Sequence, residues 1–454
     1  FLLLVLLAGC WLIPTLSAQV STATISGTTK DSSGAMLPGT EVVVRNVDTG
    51  ISRSVVTDAS GRFRIPQLGL GSYEIRASLT GFKTEVRSGI VLTVGREAVL
   101  DLTLQVGDVA ETVEVTGEAP LVETTSAAVA GLVSDQQIRE LPLNGRSIEQ
   151  LAVLQLGVTI SRNATVGFFS GNVQRINIAG ARTSSNSFLL DGTDVNDFWN
   201  NTPGSVAGVS LGVDTIREFK VLVNNYSAEY GRAGGGVITS VTRSGTNQLH
   251  GSVFEFLRNS AMDARNFFDR DSRRPLERSS PPPFRRNQFG FTVGGPIRQD
   301  KAFFFGSYEG LRQRLASTSY NRVPTPETRL TAVPTIAPYL PFVPLPTPGA
   351  DRFSDGTQDY VSAISNPTRE EYFMVRIDHK FSDDDSLFGR YTFDDAKVGN
   401  PNTTETFSNP SLSRNQYFTF EETHVFTPTW LNVFRLGVNR SRGQSECERL
   451  VDFP

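Results

Sequence analysis

From residue 250 onward the chain alternates between apolar and polar side chains with a period of two. Seven stretches carry the pattern: 252–258, 288–294, 302–311, 372–381, 387–394, 417–426 and 431–440. Phe373, Val375 and Ile377 oppose Met374, Arg376 and Asp378. Leu387, Tyr391 and Phe393 oppose Arg390, Thr392 and Asp394. Phe434, Leu436 and Val438 oppose Arg435, Gly437 and Asn439. Successive side chains of a strand point to opposite faces, so each stretch predicts a β-strand with one greasy and one charged side. The segment 287–310 predicts a hairpin, with Gly295-Pro296 and Gln299-Asp300-Lys301 as its turn residues.

The gaps between these strands alternate in length. Gaps 259–287, 312–371 and 395–416 are long, the second holding a Pro-rich run over 324–348. Gaps 295–301, 382–385 and 427–430 are short. An up-and-down barrel in a membrane has long loops at one end and tight turns at the other, with lipid outside and water inside. A soluble sandwich has no reason to keep its long loops together. Asp383-Asp384-Asp385 lacks the Gly and terminal Glu of a calcium-binding loop and predicts a charged turn. A barrel has no open edge, so the stretch after residue 250 is expected to be the first part of a longer wall.

Residues 121–247 are mixed. Ser134 with Gln137 predicts a capped helix ending near Leu141, broken by Pro142 and Asn144-Gly145. A second amphipathic turn over 147–156 would use Ile148, Leu151 and Leu154. Strands are expected at 175–179, 187–190, 219–223 and 236–242. Gly231 and Gly234 to Gly236 lack phosphate-loop spacing and predict close packing against the barrel wall. The runs Gly167-Phe168-Phe169 and Phe198-Trp199-Asn200-Asn201, with Arg175, are candidate loops for ligand contact or for packing inside the barrel.

Residues 19–106 hold short strands at 23–27, 41–45, 52–57, 61–65, 72–77 and 98–104, separated by Gly, Pro and Asp. They predict a small β-sandwich. A connector, 107–120, contains Glu111, Thr112, Val113, Glu114, Val115, Thr116 and Gly117. It reads either as the last strand of the sandwich or as an exposed strand offered to a partner's sheet edge. Residues 1–16 are apolar and Ser17-Ala18-Gln19 follows, as in a secretory signal cut after Ala18. Leu7-Ala8-Gly9-Cys10 is also compatible with a lipoprotein signal, while the run is short for a spanning helix.

Composition narrows the function. A net charge of −4 gives no reason to expect a nucleic-acid partner. The two cysteines, Cys10 and Cys447, do not predict a structural disulfide. None of His250, His379 and His424 has Glu three residues on, as a zinc peptidase would need. No enzyme activity, cofactor or metal is expected.

Three resemblances follow from these residues. Ile25-x-Gly27, Leu37-Pro38-Gly39, Thr57-x-x-x-Gly61-x-Phe63, Leu68-x-x-Gly71-x-Tyr73 and Gly81-Phe82 resemble the carboxypeptidase regulatory-like domain, a transthyretin-like or Ig-like sandwich. Glu140-Leu141-Pro142-Leu143-Asn144-Gly145-Arg146, Ile178-Ala179-Gly180-x-Arg182, Leu190-Asp191-Gly192, Ile216-x-Glu218-Phe219 and Glu229-Tyr230-Gly231-x-x-x-Gly235-Gly236 resemble the plug of TonB-dependent receptors, most nearly the Oar-like branch. The connector, 111–117, looks like the TonB box. The resemblance implies a mainly β chain. A signal (1–18) would lead into a periplasmic sandwich (19–106), a coupling linker (107–120), an α+β plug (121–247) and part of an outer-membrane barrel (248–454). It further implies outer-membrane lipid around the wall, a TonB-type periplasm-spanning partner, and energy-coupled uptake of an unidentified extracellular carbohydrate, peptide or iron chelate. A surface adhesion or carbohydrate-binding protein without transport is the alternative.

Overall fold

The computed structural model describes residues 21–109, 112–116, 126–264 and 283–452, apart from 142, 144, 162–174, 198, 209–210, 232, 403, 405 and 428–429. The apolar leader with Cys10, and Pro142 and Asn144 of the expected helix stop, lie outside the described residues.

The first unit is a two-sheet sandwich. It comprises β1 (Ala23–Asp31), β2 (Glu41–Asn46), β3 (Ser52–Val56), β4 (Arg62–Leu68), β5 (Gly71–Ser78), β6 (Thr84–Leu92), β7 (Glu97–Val99), β8 (Leu102–Leu104) and β9 (Thr112–Thr116). One sheet runs β4-β1-β7, with β8 also on β1; the other runs β3-β2-β5-β6-β9. Alternate residues such as Ile25, Val42, Val44, Ile75, Ile90 and Leu102 fill the space between them. The stretch expected as one strand over 98–104 divides into β7 and β8. At the break Leu100 crosses β1, its N–H donating to Ser26 O at 2.8 Å. A Cβ on Gly27 would lie 1.8 Å from Leu100 O, which is why the Ile25-x-Gly27 motif needs glycine.

The second unit contains β10 (Val129–Val133), α1 (Asp135–Glu140), α2 (Glu149–Ala152), β11 (Val158–Ile160), β12 (Ile176–Ile178), β13 (Ser187–Leu190), β14 (Thr193–Asp194), β15 (Ile216–Asn224) and β16 (Val237–Thr242). Its sheet order is β10-β15-β16-β13-β14, with only β13 and β16 parallel. The capping box at Ser134 and Gln137 forms as the sequence predicts. The second helix is shorter than expected, and Leu154 is exposed rather than buried with Leu151. The glycine run packs within this unit and not on the wall. A Cβ on Gly236 would meet Ile178 Cγ2 at 2.2 Å, and one on Gly235 would meet Asn186 Oδ1 at 2.5 Å.

The third unit is a seven-stranded antiparallel meander. Its elements are β17 (His250–Asn259), β18 (Phe284–Arg298), β19 (Ala302–Pro324), α3 (Pro326–Leu330), β20 (Thr357–Lys380), β21 (Asp385–Val398), β22 (Phe407–Ser408), β23 (Ser411–Thr427), β24 (Trp430–Ser445) and β25 (Glu448–Arg449). The sheet order is β17-β18-β19-β20-β21-β23-β24, while β22 and β25 pair apart from it. Every predicted wall strand is present and every one is longer than predicted. The β19–β20 ladder continues to Pro324 and Thr357, so both ends of the expected gap 312–371 are paired strand, while the Pro-rich run after Pro324 lies between the two strands. Gly295 and Pro296 belong to β18, opposite Phe304 and Phe303, and not to the turn. The register slips between Pro296 and Arg298, where proline has no N–H to give the ladder.

The alternation resolves into two faces. Phe373, Val375 and Ile377 are 36%, 47% and 46% exposed, whereas their neighbour Met374 is 0% exposed. Phe434, Leu436 and Val438 are likewise exposed, while Arg390, Thr392, Asp394, Thr419 and Glu421 are buried. Apolar outside and polar inside is the arrangement of a wall whose outer solvent is hydrocarbon. Phe381, Phe426 and Trp430 stand exposed at the short-turn end, Phe426 and Trp430 stacked at 4.6 Å, as in an interfacial aromatic girdle. No helix among the described residues is long and apolar enough to cross a membrane.

Candidate functional site

The polar face of the wall is buried because the second unit fills it. Two clusters of charge hold the contact. In the first, the turn after β13 places Asp191 at φ +49° and Gly192 at φ +73°. The Asp191 carboxylate accepts from Thr242 N–H at 2.9 Å and Thr242 Oγ1 at 2.8 Å, which fixes it against β16. It then pairs with Arg390 of β21 at 2.8 Å and with Arg376 of β20 at 3.4 Å. Arg390 also donates to Leu190 O (3.1 Å) and Thr392 Oγ1 (3.1 Å), and Arg376 to Asp378 (2.7 Å). A buried guanidinium is tolerated only with a counter-ion and filled donors, and Asp191 supplies the charge.

In the second cluster Arg146, the last residue of the Glu140-to-Arg146 motif, bridges Glu309 of β19 at 3.1 Å and Asp214 at 2.6 Å. Gly212 N–H donates to the other Glu309 oxygen at 2.9 Å, and the Arg146 guanidinium lies 4.1 Å from the Phe254 ring centre. Neutral bonds complete the contact: Thr193 Oγ1 with Thr419 Oγ1 (2.7 Å), Val206 N–H to Ser413 Oγ (2.9 Å) and Asn415 Nδ2 to Gly204 O (3.1 Å). A cavity of about 100 Å³ remains between the two units, lined by Leu211, Ile216, Tyr372, Asp394 and Tyr417.

The connector strand lies in the sandwich. Residues 112–116 form β9, parallel to β6 with Thr84 opposite Thr112 and Ser88 opposite Thr116. It is the edge strand of its sheet, so β6 occupies one side and no strand among the described residues occupies the other. Glu111 and Gly117, the two ends of the predicted segment, lie outside the described residues, as do Phe168, Phe169 and Phe198 of the predicted loops.

Of the remaining loop residues, Trp199 is 56% exposed. Asn200 Nδ2 donates to Ser184 O at 2.6 Å, and Asn201 Oδ1 accepts from Thr183 Oγ1 at 3.0 Å, so both amides brace the loop. Asp197 caps the same loop, accepting from Trp199 N–H and Asn201 N–H. Burial raises its carboxyl above the ordinary range, and nearby Arg175 opposes that rise. Asn439, nine positions along β24 from Trp430, donates to Asp194 O and Asn196 O. At about 3.3 Å per residue this puts the start of the loop about 30 Å along the tilted strand from the short turn, toward the long loops.

Asp385, Glu422 and His424 form a metal-compatible group among the described residues, near the short turn after β20. Asp385 and His424 are hydrogen-bonded to each other through Nδ1 of the imidazole. His379 and His424 each pack edge-on against a phenylalanine two residues on, at 4.3 Å.

Three family models match in succession: the carboxypeptidase regulatory-like domain over 24–105, the TonB-dependent receptor plug domain over 121–237, and an outer membrane beta barrel domain over 241–333 and 328–450. The chain belongs to the TonB-dependent receptors. Its place is the outer membrane, and the matched families are those of receptors and transporters, not enzymes. It is 30% identical over 308 residues to the TonB-dependent transporter Oar of Myxococcus xanthus, covering 64% of this chain and 27% of that protein. It is 28% identical over 210 residues to a probable TonB-dependent siderophore receptor, PirA, of Acinetobacter baumannii, covering 44% and 24%. The receptor therefore spans about a quarter of the length of these relatives. Among solved structures, the outer membrane transporter YddB of Escherichia coli aligns at 14% identity with a TM-score of 0.46, over 68% of this chain and 38% of that one.

The roles of Asp191 and Arg146 were not visible in the sequence. Both sit in motifs that mark the plug, but their partners, Arg390 and Glu309, are distant in the chain. An arginine on the inward face of a predicted wall strand is the signal that points to them, because it demands a counter-ion from whatever fills the lumen.

Proposed function

We propose that this receptor takes up an extracellular ligand across the outer membrane by energy-coupled displacement of its plug. The observation that carries the reading is the plug seated in a polar wall by buried ion pairs at Asp191–Arg390 and Arg146–Glu309. Such a seat is closed at rest and needs work to open. The outer membrane has no nucleotide supply, so the work comes from a TonB-type protein spanning the periplasm.

The segment 111–117 is the proposed handle, and its described part, β9, is an edge strand with β6 as its one strand neighbour among the described residues. A partner strand adds there through backbone hydrogen bonds, with alternate side chains setting selectivity. At the long-loop end, Arg175, Trp199, Asn200 and Asn201, with Phe168, Phe169 and Phe198, are the proposed ligand contacts. Of these, Trp199 offers an exposed ring, while the two amides support the loop beneath it. Aromatic and amide groups suit carbohydrate, peptide or iron-chelate ligands.

The test is deletion of residues 111–117 in the full-length gene, introduced into a knockout strain and screened for ligand-dependent growth. The proposal expects the receptor to reach the membrane and the growth to be lost. Growth equal to that of the intact gene removes coupling through this segment.

A further inference from the structure

We propose that the N-terminal sandwich is a second seal, lying across the periplasmic mouth beneath the plug, and that it swings aside before anything leaves the lumen. The inference rests on the transport reading above.

The sandwich meets both other units at the short-turn end. Lys380, at the foot of β20, donates from Nζ to Ser52 O at 3.1 Å. Asn247, in the link from plug to wall, donates its N–H to Asp48 O at 3.0 Å and its amide to Asp300 at 2.7 Å. Against the plug, Val94 N–H donates to the buried carboxylate of Glu218. Val241 of β16 packs into the apolar core of the sandwich itself.

These contacts border a partly open cavity of about 230 Å³. Asp191, Thr242 and Arg376 line it from plug and wall, and Arg53 and Tyr73 from the sandwich. The charged cluster that holds the plug is thus also part of the boundary of this chamber. A ligand passing that cluster enters the chamber and meets the sandwich, not open periplasm. Single hydrogen bonds at partly exposed positions hold the sandwich to the wall, whereas buried ion pairs hold the plug there, so the sandwich parts from the wall before the plug does. The coupling strand fits that order. β9 is zipped along β6 of the sandwich, so tension on it reaches the seal before the plug.

The test uses the full-length receptor with Cys447→Ser and a single new thiol, Ser244→Cys, whose position lines the chamber. A bulky polyethylene-glycol maleimide is applied to the receptor in nanodiscs. Its rate follows the population of the open form, and removing residues 21–104 is expected to raise it about tenfold or more. A second variant, Lys380→Met with Asn247→Ala, keeps the sandwich and loosens its seat, and is expected to give a smaller rise. Equal rates in all three overturn the seal, whatever the outcome of the 111–117 deletion. In cells, the rate on the otherwise intact receptor is expected to rise with an energised TonB-type partner and to fall with an ionophore. A rate indifferent to the ionophore overturns the gating step, while the growth screen decides the transport reading separately.

Discussion

Replacing Asp191 by Asn removes one charge from the plug and leaves its shape. Arg390 is then 0% exposed on its side chain with three neutral acceptors and no adjacent counter-ion, because its remaining bonds go to Leu190 O, Thr392 Oγ1 and Thr419 Oγ1. Arg376 keeps Asp378 and suffers less. Breaking one side of a buried pair costs about 3–5 kcal/mol. With a urea slope of about 2 kcal/mol per molar, the midpoint for plug release falls by about 2 M. Urea-dependent pulse proteolysis of the full-length receptor in nanodiscs reads this directly, since a released plug is cut while the wall resists. Asp378→Asn, which touches Arg376 but not Arg390, is the control and moves the midpoint less. A midpoint for Asp191→Asn within a few tenths of a molar of the parent refutes the claim that this cluster holds the plug.

Burial pushes the Glu218 carboxyl from 4.5 up to about 7, with the Val94 N–H bond, Arg217 and Lys220 opposing the rise and Asp135 adding to it. The folded joint therefore keeps a proton that the unfolded chain has lost, and stability falls by about 3 kcal/mol as pH rises from about 4.5 to about 7. Urea midpoints for the sandwich–plug joint, taken from pH 5 to 8, are expected to drop in the parent and stay flat in Glu218→Gln. Gly236→Ala would drive a methyl into Ile178 Cγ2 at 2.2 Å and is expected to cost the plug about 1–3 kcal/mol, read by the same proteolysis. Val375→Arg on the lipid face is expected to weaken the wall by about 2–4 kcal/mol, measured as the urea midpoint for loss of the heat-modifiable form on gels.

The wall was legible because lipid on one side and plug on the other impose opposite demands on alternate residues. Phe373 through Asp378 obey both. Beyond the membrane those demands lapse, so the outer halves of β19 and β20, with Asn321 and Arg322 on one and Asp359 and Tyr360 on the other, read as loop. β6 was missed for a local reason. Its run Thr84–Leu92 carries Gly89 at φ +81° and a register slip against β5, which breaks the alternation. The glycine run announced close packing but not its partner, since Ile178 lies far away in the chain. The run 198–201 reads as a loop for ligand contact or for packing inside the barrel, and Asn200 and Asn201 spend polar atoms within the plug, on Ser184 O and Thr183 Oγ1. The plug's ion pairs need two strands brought together, which no local pattern encodes.

The central claim is that residues 372–378 alternate between hydrocarbon and plug. Spin labels placed one at a time along this stretch in the reconstituted full-length receptor, read for collision with oxygen and with a water-soluble nickel chelate, test it most directly. The account predicts high oxygen and low nickel accessibility at Phe373, Val375 and Ile377, and low values of both at Met374 and Arg376. Uniform accessibility along the stretch, or nickel contact at Val375, would contradict it.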